Sequence, residues 1–97
     1  MHAGLLRLTI RLPENHSHKG KRQVIKSLAA RLHNTLNVAV AEVDQQDVWQ
    51  IAVLGIACVS TTAVHAEQQL DAALRFVEET RPDVEVVEVE TDIFSAF

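Results

Sequence analysis

Hydrophobic residues along the chain fall first into a period-two pattern and then into a period near 3.6. In residues 5–12, LLRLTIRL, Leu6, Leu8, Ile10 and Leu12 point one way and Arg7, Thr9 and Arg11 the other, which is the pattern of a half-buried strand. Pro13 ends it, and the polar loop ENHSHKG follows. The spacing then predicts a helix over 19–35. Val24, Ile25, Leu28, Leu32 and Leu36 give it an apolar stripe. Ser17 is the natural N-cap. Gly20 occupies the position where a capping box would place Glu or Gln.

Two strands rich in Val and Ile are predicted next, over 37–43 and 48–60, with the tight connection DQQD between them. The second, VWQIAVLGIACVS, is apolar on both faces, as a central strand is. Ser60, Thr61 and Thr62 offer N-caps for a second helix over 62–79, whose stripe is Ala63, Ala66, Leu70, Leu74 and Val77. Arg81-Pro82-Asp83 breaks it, and VEVVEVETDI (84–93) is a last strand. The order β-α-β-β-α-β, closed by two right-handed split crossovers, gives an α+β ferredoxin-like sandwich. Its four-stranded antiparallel sheet has the order 4-1-3-2, with two helices on one face. That fold hosts many functions and names none.

Composition changes this picture little. Residues 1–97 make a single domain, and a hydrophobic content of 47% suffices for a core. The single cysteine, Cys58, excludes an intrachain disulfide. No signal-peptide pattern opens the chain, and no apolar run reaches the roughly 20 residues that cross a bilayer. A cytoplasmic protein without a membrane partner is the expectation.

Charge says more. Residues 1–33 carry seven Lys or Arg against Glu14 alone, and residues 34–97 carry Arg75 and Arg81 against twelve Asp or Glu. The hexapeptide SHKGKR (17–22) concentrates the positive charge at the first helix start. Such asymmetry marks either a nucleic-acid surface or two segments that pair within the fold. The topology brings Lys19, Lys21 and Arg22 towards Glu42, Asp44 and Asp47 at the hairpin, and sets Arg7 and Arg11 against Glu88, Glu90 and Asp92. The alternative is that Lys19, Lys21, Arg22 and Lys26, with Arg31 in support, contact RNA or another anion.

The helix-free side of the two middle-of-chain strands carries Trp49, Ile51, Val53, Gly55, Ala57 and Val59 beside Ala39, Ala41 and Val43. A face this apolar calls for cover. A homodimer through Trp49, Ile51, Val53, Ala39 and Ala41 is one solution, and the C-terminal FSAF folded over the face is the other. The face offers no row of aromatics on its central strands, so base stacking in the manner of an RNA-recognition motif is not expected.

No catalytic constellation, metal site or cofactor motif emerges. His16 and His18 form an H-x-H in a loop without a further ligand cluster. Cys58 reads as a small apolar filler. His65 falls in the first turn of the second helix and His33 on the first, and each reads as an exposed helix residue before it reads as a catalytic one. The expectation is a protein that is not an enzyme and uses no cofactor.

Three stretches, SHKGKRQVIKSLAARL (17–32), NVAVAEVDQQDVWQIAVLGIACVS (37–60) and HAEQQLDAALRFVEE (65–79), resemble the YlxP-like family of small bacterial proteins of unknown function. The resemblance spans essentially the whole chain. The family reads S-L-K-E-K-R at the helix start, so Ser17, Lys19, Lys21 and Arg22 match, His18 replaces Leu and Gly20 replaces Glu. Where the family has polar residues, this chain has Ile51 and Val53, which strengthens the apolar face. The resemblance implies a ferredoxin-like fold. It also implies a gene neighbourhood of translation and ribosome-binding factors, hence a noncatalytic accessory role in ribosome maturation or translation, with ribosomal RNA or a ribosomal protein as partner. The alternative function is a homo-oligomeric protein-interaction or small-ligand domain built on the apolar sheet face.

Overall fold

A computed structural model describes residues 1–97. Strand β1 (His2–Arg11) leads to helix α1 (His18–Thr35), then β2 (Ala39–Asp44), β3 (Ile51–Ser60), helix α2 (Ala63–Thr80) and β4 (Glu85–Ser95). The strands form one antiparallel sheet in the order β2-β3-β1-β4. This is the α+β ferredoxin-like arrangement that the sequence pattern predicts.

Alternation along the strands decides which face is covered. Leu6, Leu8 and Ile10 of β1 and Ala52, Leu54, Ile56 and Cys58 of β3 are buried against Leu28 and Leu32 of α1 and Ala66, Leu70, Ala73 and Val77 of α2. Burying each large aliphatic side chain here contributes about 1.5–3 kcal/mol before chain entropy is subtracted. Ser17 caps α1 by accepting from Gly20 N–H at 3.0 Å, and Thr62 caps α2 by accepting from His65 N–H at 3.1 Å.

Two details depart from the sequence pattern. The second middle strand starts at Ile51, so Val48 and Trp49 lie in the turn before it. The cause is visible in the backbone. The Val48 carbonyl accepts from Lys21 Nζ and the Trp49 carbonyl from the Asn15 amide, so both point at side chains of the α1 start and the loop before it while the chain is still in the turn. At the other end, β4 runs to Ser95, and Ala96 N–H donates to the Met1 carbonyl at 2.9 Å. The C-terminal segment thus extends the sheet beside β1. It does not fold over the apolar face.

Both outer strands carry a register shift, between Glu42 and Asp44 in β2 and opposite Thr9–Ile10 in β4. Such bulges bend an edge and hinder pairing with another chain. Gly55 pairs with Ala41, and the bulged Val43 lays its side chain over Gly55, where a Cβ would come within 2.7 Å of Val43 Cγ1. A side chain at 55 would force Val43 to move.

Candidate functional site: the outer face of the first helix

The start of α1 divides its positive charges into two populations. Lys21 turns inward and is 2% exposed. Its ammonium has three hydrogens and meets three acceptors, each at 2.7 Å: the carbonyls of Gln45 and Val48 and the Glu42 carboxylate Oε2. The contact with Glu42 Oε2 is a close ion pair rather than a well-directed hydrogen bond, and that oxygen has no other partner. Gln45 holds a left-handed backbone with φ of 58°, a conformation that costs a non-glycine residue on the order of 1 kcal/mol. Asp44 Oδ1 accepts from Gln45 N–H, and Gln45 O accepts from Val48 N–H, which closes the turn. Lys21 therefore holds the β2–β3 turn from inside. It is not a free anion ligand, which corrects its expected place in the basic patch.

Lys19, Arg22, Lys26 and Arg31 are exposed. Four ion pairs form in the chain, Arg7–Glu90, Arg11–Glu85, Lys21–Glu42 and Arg81–Asp83, and none uses these four cations. The hairpin carboxylates Asp44 and Asp47 do not neutralise them. His18, Arg22 and Lys26 are spaced four apart, so they stand in a row along α1, with Lys19 beside it. Lys26 points roughly 160° away from the core residue Leu28. Arg31 lies roughly 140° round the axis from Lys26 and belongs to a flank of the helix.

The row begins at an aromatic side chain. Trp49 is 48% exposed, and its ring centroid is 6.2 Å from that of His18 at an interplanar angle of 45°. It therefore sits at the head of α1, beside the loop, and not on the open sheet face where the sequence pattern places it. Its turn is tied on both sides. Asn15 Nδ2 bridges the carbonyls of Ser17 and Trp49, Gln50 O accepts from Leu12 N–H at 2.8 Å, and Gln50 Nε2 donates to Asn15 O at 3.3 Å. The Asn15 side chain lies across the first turn of α1, where a Cβ on Gly20 would collide with its Oδ1. Gly20 is thus the residue that lets Asn15 reach the Trp49 turn. Nothing in the sequence singles out Asn15.

The open sheet face divides into two halves. On the β1–β4 side Arg7 pairs with Glu90, and Arg11 bonds Glu85 through both Nε and Nη2, at 3.1 and 2.7 Å. Glu88 stands opposite Thr9, and the β4 bulge moves the residue opposite Arg11 from Val86 to Glu85, which is how Glu85 becomes its partner. Arg7 holds the Glu90 carboxyl below its usual range through their hydrogen bond and its charge. On the β2–β3 side, Ala39 and Ala41 are exposed, Ile51 is half-buried and Val53 is 6% exposed. Leu5, Val43 and Val59 stand out at 46%, 49% and 58%. Ala3, Leu5, Ala39, Ala57 and Val59 line a shallow hollow of about 350 Å³ there. Of the expected interface residues, Ala39, Ala41 and Ile51 are accessible, Val53 is sunk between its neighbours, and Trp49 is elsewhere.

Two further clusters are structural in what they touch. Ser60 Oγ lies 2.8 Å from His65 Nδ1 and also accepts from Thr62 N–H, while Gln69 Nε2 lies 3.2 Å from His65 Nε2. The serine and imidazole are adjacent, yet an amide stands behind the ring where a catalytic triad has a carboxylate. The array buttresses the N-terminus of α2. Cys58 Sγ donates to the Ala66 carbonyl, and burial pushes its thiol up from the ordinary value. His16 and His18 gain no company, since no three His, Cys, Asp or Glu side chains converge. No helix is long and apolar enough to cross a membrane.

A small split-βαβ sandwich with a solvent-facing basic row on α1 is the class of protein that this geometry defines. The chain belongs to the family described as a protein of unknown function, DUF503, whose model matches residues 3–91. A relative in Bacillus subtilis strain 168, named uncharacterized protein YlxP, is 37% identical over 78 residues. That alignment covers 80% of this chain and 84% of the relative. A solved structure titled de novo designed protein Foldit4 aligns over 98% of this chain and 99% of its own, with a TM-score of 0.46 and 16% identity.

Proposed function

We propose that this protein is a noncatalytic accessory factor that contacts ribosomal RNA through the outer face of α1 and acts in ribosome maturation or translation in the cytoplasm. The observation that carries the proposal is the separation of roles within SHKGKR. Lys21 is consumed inside the fold, whereas Lys19, Arg22 and Lys26 face solvent with no carboxylate partner. Exposed cations left unpaired in a chain of net charge −4 are suited to phosphate contacts, which supply affinity without base specificity. The family resemblance, with its translation-factor gene neighbourhood, supports ribosomal RNA as the anion.

The test is the salt dependence of binding to a labelled ribosomal RNA fragment. Affinity falls with salt, and replacing Lys19, Arg22 and Lys26 with Ala flattens the log–log slope by about 2. An unchanged slope removes these residues from the contact.

A homodimer through the apolar half of the open sheet face is the second reading. It is supported by the exposure of Leu5, Val43 and Val59 around that half and by the C-terminal strand lying beside β1 instead of over it. A small-ligand site on the same face is the version of this reading that the shallow hollow there supports.

A further inference from the structure

The basic row on α1 does not end at the helix start. Going towards the N-terminus it passes from Lys26 to Arg22 to His18, and then to the Trp49 ring 6.2 Å from His18. Trp49 is half exposed, yet its peptide is among the most firmly tied of the loop region. Its own carbonyl is held by Asn15, the preceding carbonyl by Lys21, and the following residue by backbone and side-chain bonds to Leu12 and Asn15. A large aromatic is thus presented to solvent on a fixed support, in line with a row of free cations. A tryptophan on a loose loop would lose backbone entropy on ordering, and the hydrogen bonds around residue 49 have removed much of that cost already.

From this juxtaposition we propose that Trp49 is a stacking platform for an unpaired base, and that the ligand of the α1 row is single-stranded RNA whose phosphates follow His18, Arg22 and Lys26. This rests on the phosphate-binding role given to α1 above. An aromatic face takes any base, and cations beside it hold the backbone. A duplex keeps its bases stacked within the helix and offers none to Trp49. The open sheet face takes no part, which distinguishes this geometry from stacking on central strands.

The experiment uses the sole tryptophan as its own reporter, since the chain contains one Trp and no Tyr. Intrinsic fluorescence is titrated with oligo-U, with an RNA duplex of equal charge, and with inorganic polyphosphate. In parallel, anisotropy of labelled oligo-U measures affinity for the wild type, Trp49→Ala, Trp49→Phe and the Lys19/Arg22/Lys26 triple alanine variant. Quenching by oligo-U alone is expected, with about tenfold weaker oligo-U binding in Trp49→Ala, partial recovery in Trp49→Phe and unchanged polyphosphate binding in both. Equal affinity of Trp49→Ala and wild type for oligo-U, with loss only in the triple variant, overturns the stacking platform and leaves the phosphate contact standing. Duplex binding and quenching equal to those of oligo-U also overturn it. Absence of binding to every polyanion overturns the α1 contact itself.

Discussion

Lys21 of α1 and Glu42 of β2 meet inside the protein, Nζ to Oε2 at 2.7 Å, on a lysine that is 2% exposed. This pair fastens the helix to the sheet edge at the hairpin, and the same ammonium holds the carbonyls of Gln45 and Val48. Removing the cation strands a carboxylate and two carbonyls. Lys21→Met is therefore expected to destabilise the fold by about 2–4 kcal/mol in urea unfolding. Adding Glu42→Leu should recover part of that loss, because the unpaired charge goes too. A single variant as stable as wild type would contradict the role. Lys21 must accordingly stay intact in any variant designed to probe RNA binding.

The Asn15–Gly20 contact predicts a coupled effect at Trp49. Gly20→Ala raises helix propensity by about 1 kcal/mol but drives Asn15 Oδ1 from its place. The bonds from Asn15 to Ser17 and Trp49 are then lost. Both Gly20→Ala and Asn15→Ala should change the tryptophan emission in the same direction, and the double variant should add little to either. Independent, additive effects would show that Gly20 serves the helix alone.

Glu90 should titrate below its ordinary value of 4.5 because of its hydrogen bond with Arg7. A carboxyl lowered by folding contributes stability above the unfolded pKa, and that contribution fades as pH falls through the lowered folded value. Both side chains are about half exposed to solvent, so the effect on stability is slight. The measurement is an NMR titration of the side-chain carboxyl carbons. Arg7→Ala should return Glu90 to the ordinary range, and a Glu90 pKa indifferent to Arg7 would contradict the pairing.

Much of this was legible in the sequence, and the gaps have definite causes. Alternation in LLRLTIRL and the stripes of α1 and α2 identify the core, because burial follows period. Ser17 and Thr62 announce their helices by capping chemistry. The inward turn of Lys21 was hidden, because a lysine in a basic run looks like its neighbours. Only its place on the helix, seven residues before Leu28 and so on the core-facing side, hints at burial. Trp49 reads as strand because it opens an apolar run. It leaves the strand since side chains from α1 and the loop before it capture the carbonyls of 48 and 49, a tertiary event with no local signal. The Arg7 partner, Glu90, was legible from the alternation, whereas the Arg11 partner, Glu85, was not, because the β4 bulge turns it to face Arg11 where a regular register would place Val86.

For the open face, Val59 is the informative position. It is 58% exposed, whereas Val53 at 6% would damage the monomer if charged. Sedimentation velocity at high concentration should show a dimer that Val59→Glu converts to monomer with unchanged thermal stability of the fold. A wild-type protein that stays monomeric would set this second reading aside.

The most direct measurement is cosedimentation of the pure protein with ribosomal subunits at low and moderate salt, beside the Lys19/Arg22/Lys26 triple alanine variant. These three side chains are exposed and unpaired, so the variant should keep wild-type stability to within about 0.5 kcal/mol. Binding that weakens with salt and is lost in the folded variant is the expected result. No binding of the wild type at any salt, or equal binding of the variant, would contradict the assignment of the α1 face as an RNA contact.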